Sequence, residues 1–168
     1  MTHALPHPIR MLLLALLGTM LAACQTMPPR AAGFSPAQVA ALQSQGFVEA
    51  GTGWELTLNE RLLFASDQSA LQPEQTARLS EIARRLVSVG IATARIEGHT
   101  DSTGTSSYNQ RLSQARAQAV AAPLQEGGMR FTAGQIVGRG ESIPLSPNNT
   151  AEGRQDNRRV VVVVTPQN

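Results

Sequence analysis

Ile96-Glu97-Gly98-His99-Thr100-Asp101-Ser102-Thr103-Gly104 is the stretch from which the rest of the chain is read. Ala94 to Gly98 suits a β-strand, Thr100 to Gly104 a polar turn, and a helical pattern follows from about Ser106 to Glu126. The turn carries one carboxylate, Asp101, and the helix a guanidinium, Arg116. Side chains on a helix lean toward its N-terminus, so Arg116 reaches back toward the turn. Such a pair suits a ligand with an ammonium and a carboxylate close together: the carboxylate side chain accepts from the ammonium, and the guanidinium holds the carboxylate bidentately. The competing reading is a structural salt bridge with no ligand.

Working outward, Gly53 to Glu60 alternates apolar and polar residues, as a half-buried strand does, and Leu62-Leu63-Phe64 continues or ends it. Ala65 to Gln72 is a loop. A helix over about 73–89 places Leu79, Ile82, Leu86 and Val89 on one stripe, and Gly90 closes it. The helix after the central stretch is read with Tyr108, Leu112, Ala115, Ala119 and Ala122 inward. Pro123 is expected to kink it or stop it early. Gln135 to Gly140 gives a third strand, Glu141 to Thr150 a loop, and Ala151 to Asp156 one helical turn. The five valines 160–164 imply burial on both faces and a central strand. The expected architecture is an α/β two-layer sandwich: a mixed four-stranded sheet with two main helices on one face.

The N-terminal part has a different character. Met11 to Ala23 is uncharged and apolar. It is shorter than the roughly 20 residues of a transmembrane helix, and it suits the core of a signal peptide at 1–23. Leu21-Ala22-Ala23-Cys24 resembles a bacterial lipobox, and Cys24 is the single cysteine of the chain. That resemblance implies lipid on Cys24, and the Gln25 that follows implies the periplasmic face of the outer membrane. Residues 24–34, with Pro28-Pro29, read as a lipid-anchored linker. Residues 35–52 read as a short helix and arm. Ser35 serves as N-cap, Pro36 as N1 and Gln38 as the capping-box partner, and Gly46 ends the helix. Its apolar residues Val39 and Leu42 dock either on the same domain or, if the arm swaps, on a partner. Residues 53–168 form the main domain.

The formal net charge is +2, every basic residue is Arg, and aromatic residues make up 4%. This gives neither a basic field nor a stacking surface for nucleic acid. One cysteine excludes a disulfide framework within the chain. One His beside one Asp falls short of a zinc ligand set, and no nucleophile elbow surrounds Ser102 or Ser106. No catalysis, metal or cofactor is expected.

Four motifs in order carry a resemblance over about residues 54–165. They are Glu97 to Gly104; Asn109 to Ala117; Gly138-x-Gly140-x-Ser142-x-Pro144; and Asn149-Thr150-x-x-Gly153-Arg154-x-x-Asn157-Arg158-Arg159-Val160. Together they resemble the OmpA-like peptidoglycan-binding domain. The resemblance implies binding of the peptide stem of peptidoglycan through meso-diaminopimelate. Asp101 would take its ammonium and Arg116 its carboxylate. Thr103, Gly104 and Asn109 would stand beside them, with Arg158 as a second basic wall and Asp67 on the rim. The family often has an acidic or amide residue after the aromatic at Phe64; Ala65 departs from this. Likeness to short signalling lipoproteins of the family extends to Gly46-Phe47 and Gly53-Trp54-Glu55. It implies that the arm, with Val39, Leu42, Phe47 and Trp54, binds a periplasmic repressor (YfiR-like). Its capture would release an inner-membrane diguanylate cyclase and promote cyclic di-GMP signalling and biofilm. The alternative is a structural tether between outer membrane and cell wall. Homodimerisation stays open.

Overall fold

The five valines set the centre of the sheet. The computed structural model describes residues 33–64 and 70–166, so the expectations on Cys24, the signal segment, most of the linker, Ala65 and Asp67 lie outside the described residues. Strand β5 (Arg159–Val164) is buried along its whole length. It lies between β2 (Gly53–Asn59) and β3 (Arg95–His99), antiparallel to both. Strand β4 (Ile136–Gly138) adds parallel to the far side of β3, and β1 (Val48–Ala50) pairs antiparallel with β2. The order is β1-β2-β5-β3-β4.

The sheet therefore has one strand more than expected. Strand β1 has only three residues, too few to show a period, and belongs to the stretch read as arm. It turns back into β2 at Gly51, whose φ of +57° suits a tight turn.

The helices are α1 (Pro36–Ser44), α2 (Glu60–Leu63), α3 (Pro73–Ser88), α4 (Ser106–Glu126) and α5 (Ala151–Asn157), with a 3₁₀ turn at Ala133–Gln135. Helix α1 starts as the sequence specifies. Ser35 Oγ accepts from the Gln38 N–H and Gln38 Oε1 accepts from the Ser35 N–H. It docks on its own domain: Phe34, Leu42, Phe47 and Trp54 are all buried in the single apolar core, and Val39 packs against that core. Of the two readings of Leu62-Leu63-Phe64, continuing β2 or ending it, the strand ends: β2 stops at Asn59 and helix α2 follows. Asn59 Oδ1 accepts the Arg61 N–H at 3.0 Å, which caps a helix start and turns the chain away from the sheet.

Helix α4 has the span read from the sequence, Ser106–Glu126, so Pro123 lies inside it and does not stop it early. Pro123 is itself buried, and its carbonyl accepts from Ser80 Oγ of α3 at 3.0 Å, which holds the last turn against the neighbouring helix. The inward face, however, is rotated from the expected one. Asn109, Ser113, Arg116, Ala117, Val120, Ala121 and Leu124 are buried, while Tyr108 and Ala122 are exposed. The reason is close approach. A Cβ on Gly98 of β3 would stand 2.0 Å from the Ser113 carbonyl oxygen, and one on Gly138 of β4 would stand 2.5 Å from the Gln114 nitrogen. With helix backbone pressed onto strand backbone, this half of the face takes small and polar residues, and apolar periodicity does not mark it. The rotation brings Arg116 inward.

Candidate functional site

The β2–β5 ladder ends at the pair Asn59↔Arg159, and one step beyond it the Glu60 N–H donates to the Arg158 carbonyl at 3.0 Å. Glu60 and Arg158 are thereby placed side by side by the sheet. Next to them β3 ends, and the Thr100 N–H is fixed to the Gly140 carbonyl at 2.9 Å. This fixing delivers Asp101 to the same spot. Helix α4 supplies Arg116 from above.

The four charges form a chain. Arg116 Nη2 donates to Glu60 Oε1. Glu60 Oε2 accepts from Arg158 Nε at 2.6 Å. Arg158 Nη1 donates to Asp101 Oδ2 at 2.5 Å. Asp101 Oδ1 accepts the Thr103 N–H at 2.8 Å, an Asx turn that fixes the carboxylate on its loop. Burial alone would raise the Asp101 carboxyl, but the Thr103 N–H and the Arg158 guanidinium outweigh it and hold it below its ordinary value. The Arg116 guanidinium also lies 5.5 Å from the centroid of the Phe64 ring, within cation–π range.

These residues line a cavity of about 530 Å³, open to solvent, with Arg61, Tyr108 and Arg154 among its other walls. Two polar atoms among its lining residues are buried without a hydrogen-bond partner among the described residues: Thr100 Oγ1 and Arg116 Nε. Buried polar atoms are nearly always paired, and these two belong to residues that line the cavity, so the pairing here is incomplete without a further group. The site can hold a group of mixed charge, with anions meeting Arg116 and cations meeting Asp101.

The sequence-derived site residues fall into three groups. Asp101, Arg116, Thr103, Asn109 and Arg158 line the cavity. Gly104 sits on the turn beside it at φ +95°, a conformation glycine adopts readily. Asp67 lies outside the described residues. The roles differ from expectation in three respects. Asp101 and Arg116 do not face each other as a bare pair; Glu60 and Arg158 stand between them. Arg158 is not an open basic wall, because two carboxylates flank it. The Asn109 amide nitrogen is engaged by the Asp101 carbonyl and by Glu141, so it supports the turn. Glu60 and Thr100 went unrecognised in the sequence. Glu60 reads there as the last residue of an alternating strand, and only the ladder register shows that it meets Arg158.

His99, at the end of β3, is buried and belongs to the opposite face of the sheet from Gly98 and the helix α4 that covers it. Burial, and then the adjacent Arg159, push its imidazole down to about 4, with Glu97 at 3.8 Å offsetting part of this. It is neutral at neutral pH and does not line the cavity.

Among the described residues no helix is long and apolar enough to cross a membrane. A sequence model of the OmpA family matches residues 63–158, a span that includes Asp101, Arg116 and Arg158. The chain is 44% identical to the outer-membrane lipoprotein YfiB of Pseudomonas aeruginosa over 160 residues, 94% of this chain and 95% of that one. The solved peptidoglycan-associated lipoprotein of Burkholderia pseudomallei matches with a TM-score of 0.52 and 30% identity, over 64% of this chain and 87% of that one. The solved cell wall anchor of the type VI secretion system of Pseudomonas aeruginosa matches with a TM-score of 0.58 and 32% identity, over 78% and 95%. With the mixed sheet, the covering helices and this alignment, the chain belongs to the OmpA family, as a lipoprotein of the outer membrane facing the periplasm.

Proposed function

We propose that the cavity binds the peptide stem of peptidoglycan through meso-diaminopimelate, with Asp101 taking the free ammonium and Arg116 the carboxylate beside it. The observation that carries this is two buried, opposite charges on one cavity, with Arg116 Nε and Thr100 Oγ1 left unpartnered. Two solved relatives are named for the cell wall, as its anchor or as peptidoglycan-associated, which supports the same ligand class. The reaction class is binding without catalysis. In this reading Cys24 carries the lipid, residues 24–34 are the tether, and the domain of residues 53–168 is parked against the wall.

The regulatory half of the proposal is that the anchored chain captures a periplasmic repressor of the YfiR type, freeing an inner-membrane diguanylate cyclase and raising cyclic di-GMP. It is supported by the YfiB relative, whose alignment over 94% of the chain extends well beyond the family segment at 63–158. The second reading, a structural tether, is favoured by one observation: Leu42 and Phe47 of the arm, with Phe34 just before it, are buried in their own core and closed to a partner while docked.

Co-sedimentation of the solubilised lipoprotein with purified sacculi tests the first half; retention in the pellet is expected, and full recovery in the supernatant contradicts it. A pulldown from periplasmic extract separates the other two readings. Recovery of a YfiR-like protein, increased by Leu42→Ala, is the regulatory outcome. Its absence with both proteins leaves the tether.

A further inference from the structure

We infer that Glu60 is a specificity-determining residue: a built-in competitor that reserves Arg116 for a zwitterionic head group and rejects plain anions. The inference rests on the stem-binding reading of the cavity.

Glu60 occupies the place a ligand carboxylate would take. One oxygen accepts from Arg116 and the other from Arg158, at 2.6 Å for the latter. Its backbone is pinned by the N–H bond to the Arg158 carbonyl, so the side chain moves by rotation while its Cα stays fixed. Arg116 is 3% exposed and the Asp101 side chain 9%, so a charge here without a partner is costly.

Charge balance then decides which ligands fit. The floor of the cavity holds two cations, Arg116 and Arg158, and two anions, Glu60 and Asp101. The rim arginines Arg61 and Arg154 attract anions toward the mouth but take no part in the ion pairs of the floor. A zwitterion entering this floor re-pairs it without residue. Its carboxylate takes Arg116 from Glu60 Oε1, Glu60 keeps Arg158 through Oε2, and the ammonium meets Asp101. The floor stays neutral. A plain anion also displaces Glu60 from Arg116, but it leaves three anions facing two cations in a half-closed space. Glu60 thus converts an arginine site, which would accept any oxyanion, into one that requires the ammonium as well.

The test is calorimetric titration of the detergent-solubilised full-length lipoprotein with two probes: sodium sulfate, and a stem tripeptide ending in meso-diaminopimelate. Glu60→Gln keeps the side-chain volume and removes the charge; Glu60→Ala serves as the second variant, and thermal melting confirms that each is folded. The expected result is sulfate affinity raised about tenfold or more in the variants, about 1.4 kcal/mol, with a smaller change for the tripeptide. Equal sulfate affinity in wild type and variants overturns the role of Glu60, whether or not the tripeptide binds. A sulfate gain in variants that, like the wild type, ignore the tripeptide supports the charge filter and removes the stem-binding reading.

Discussion

His99 shows how a single residue couples this fold to pH. Its folded pKa lies at about 4 because the ring is buried and faces Arg159, while an unfolded histidine titrates near 6.5. The unfolded chain therefore takes up the proton first. Stability is full above about pH 6.5 and falls as pH drops toward 4, by on the order of 3 kcal/mol in all. Asp101 acts in the same sense lower on the scale, since its depressed carboxyl stabilises the fold above the unfolded carboxylate value and ceases to do so as acid protonates it. Urea unfolding at pH 7 and pH 4.5 checks this: wild type should lose stability at the lower pH, and His99→Gln should flatten most of the difference. An equal loss in the variant would place the proton elsewhere. Asp101 and Arg116 were legible because they fall in motifs that resemble the family's; an Asp in a turn and an Arg on a helix are ordinary by themselves. Glu60 was hidden because its role depends on a neighbour 98 positions away in sequence.

At the scale of elements, legibility followed local chemistry. Helix α1 was readable from its capping box, α3 from its leucine stripe and β5 from its valines, because each signal is complete within a few residues. Strand β1 is too short to carry a period. Helix α2 is set by one cap, and the inner face of α4 is set by two glycines on other strands. That last arrangement predicts a stability effect. Gly98→Ala puts a methyl group into the Ser113 carbonyl with no flexible side chain to yield, so a loss of about 1–3 kcal/mol or more is expected, read as a lowered midpoint in urea. Wild-type stability in this variant would mean that α4 does not press on β3. The arm offers a second check. Leu42 is fully buried, and Leu42→Ala should cost about 2–5 kcal/mol. Faster hydrogen exchange confined to α1 and β1 would show that the loss is local release of the arm; uniform acceleration would show that the arm is an inseparable part of the core.

For the whole molecule, the anchor, the arm and the cavity occupy different parts of the chain, and each proposed activity depends on a different one. The cavity is built where β2, β3, β5 and α4 converge, so its geometry is that of the sheet itself. The arm packs on the far end of the same core, by way of Trp54 at the start of β2, while Glu60 follows directly on the end of that strand. One strand therefore joins the arm to the floor of the cavity. The central claim is that Asp101 and Arg116 grip the zwitterionic end of a peptidoglycan stem. Calorimetric titration of the wild type, Asp101→Ala and Arg116→Ala with a stem tripeptide ending in meso-diaminopimelate tests it most directly. Saturable binding by the wild type and a loss of about 2–5 kcal/mol in each folded variant are expected; affinity unchanged by both substitutions would contradict the claim.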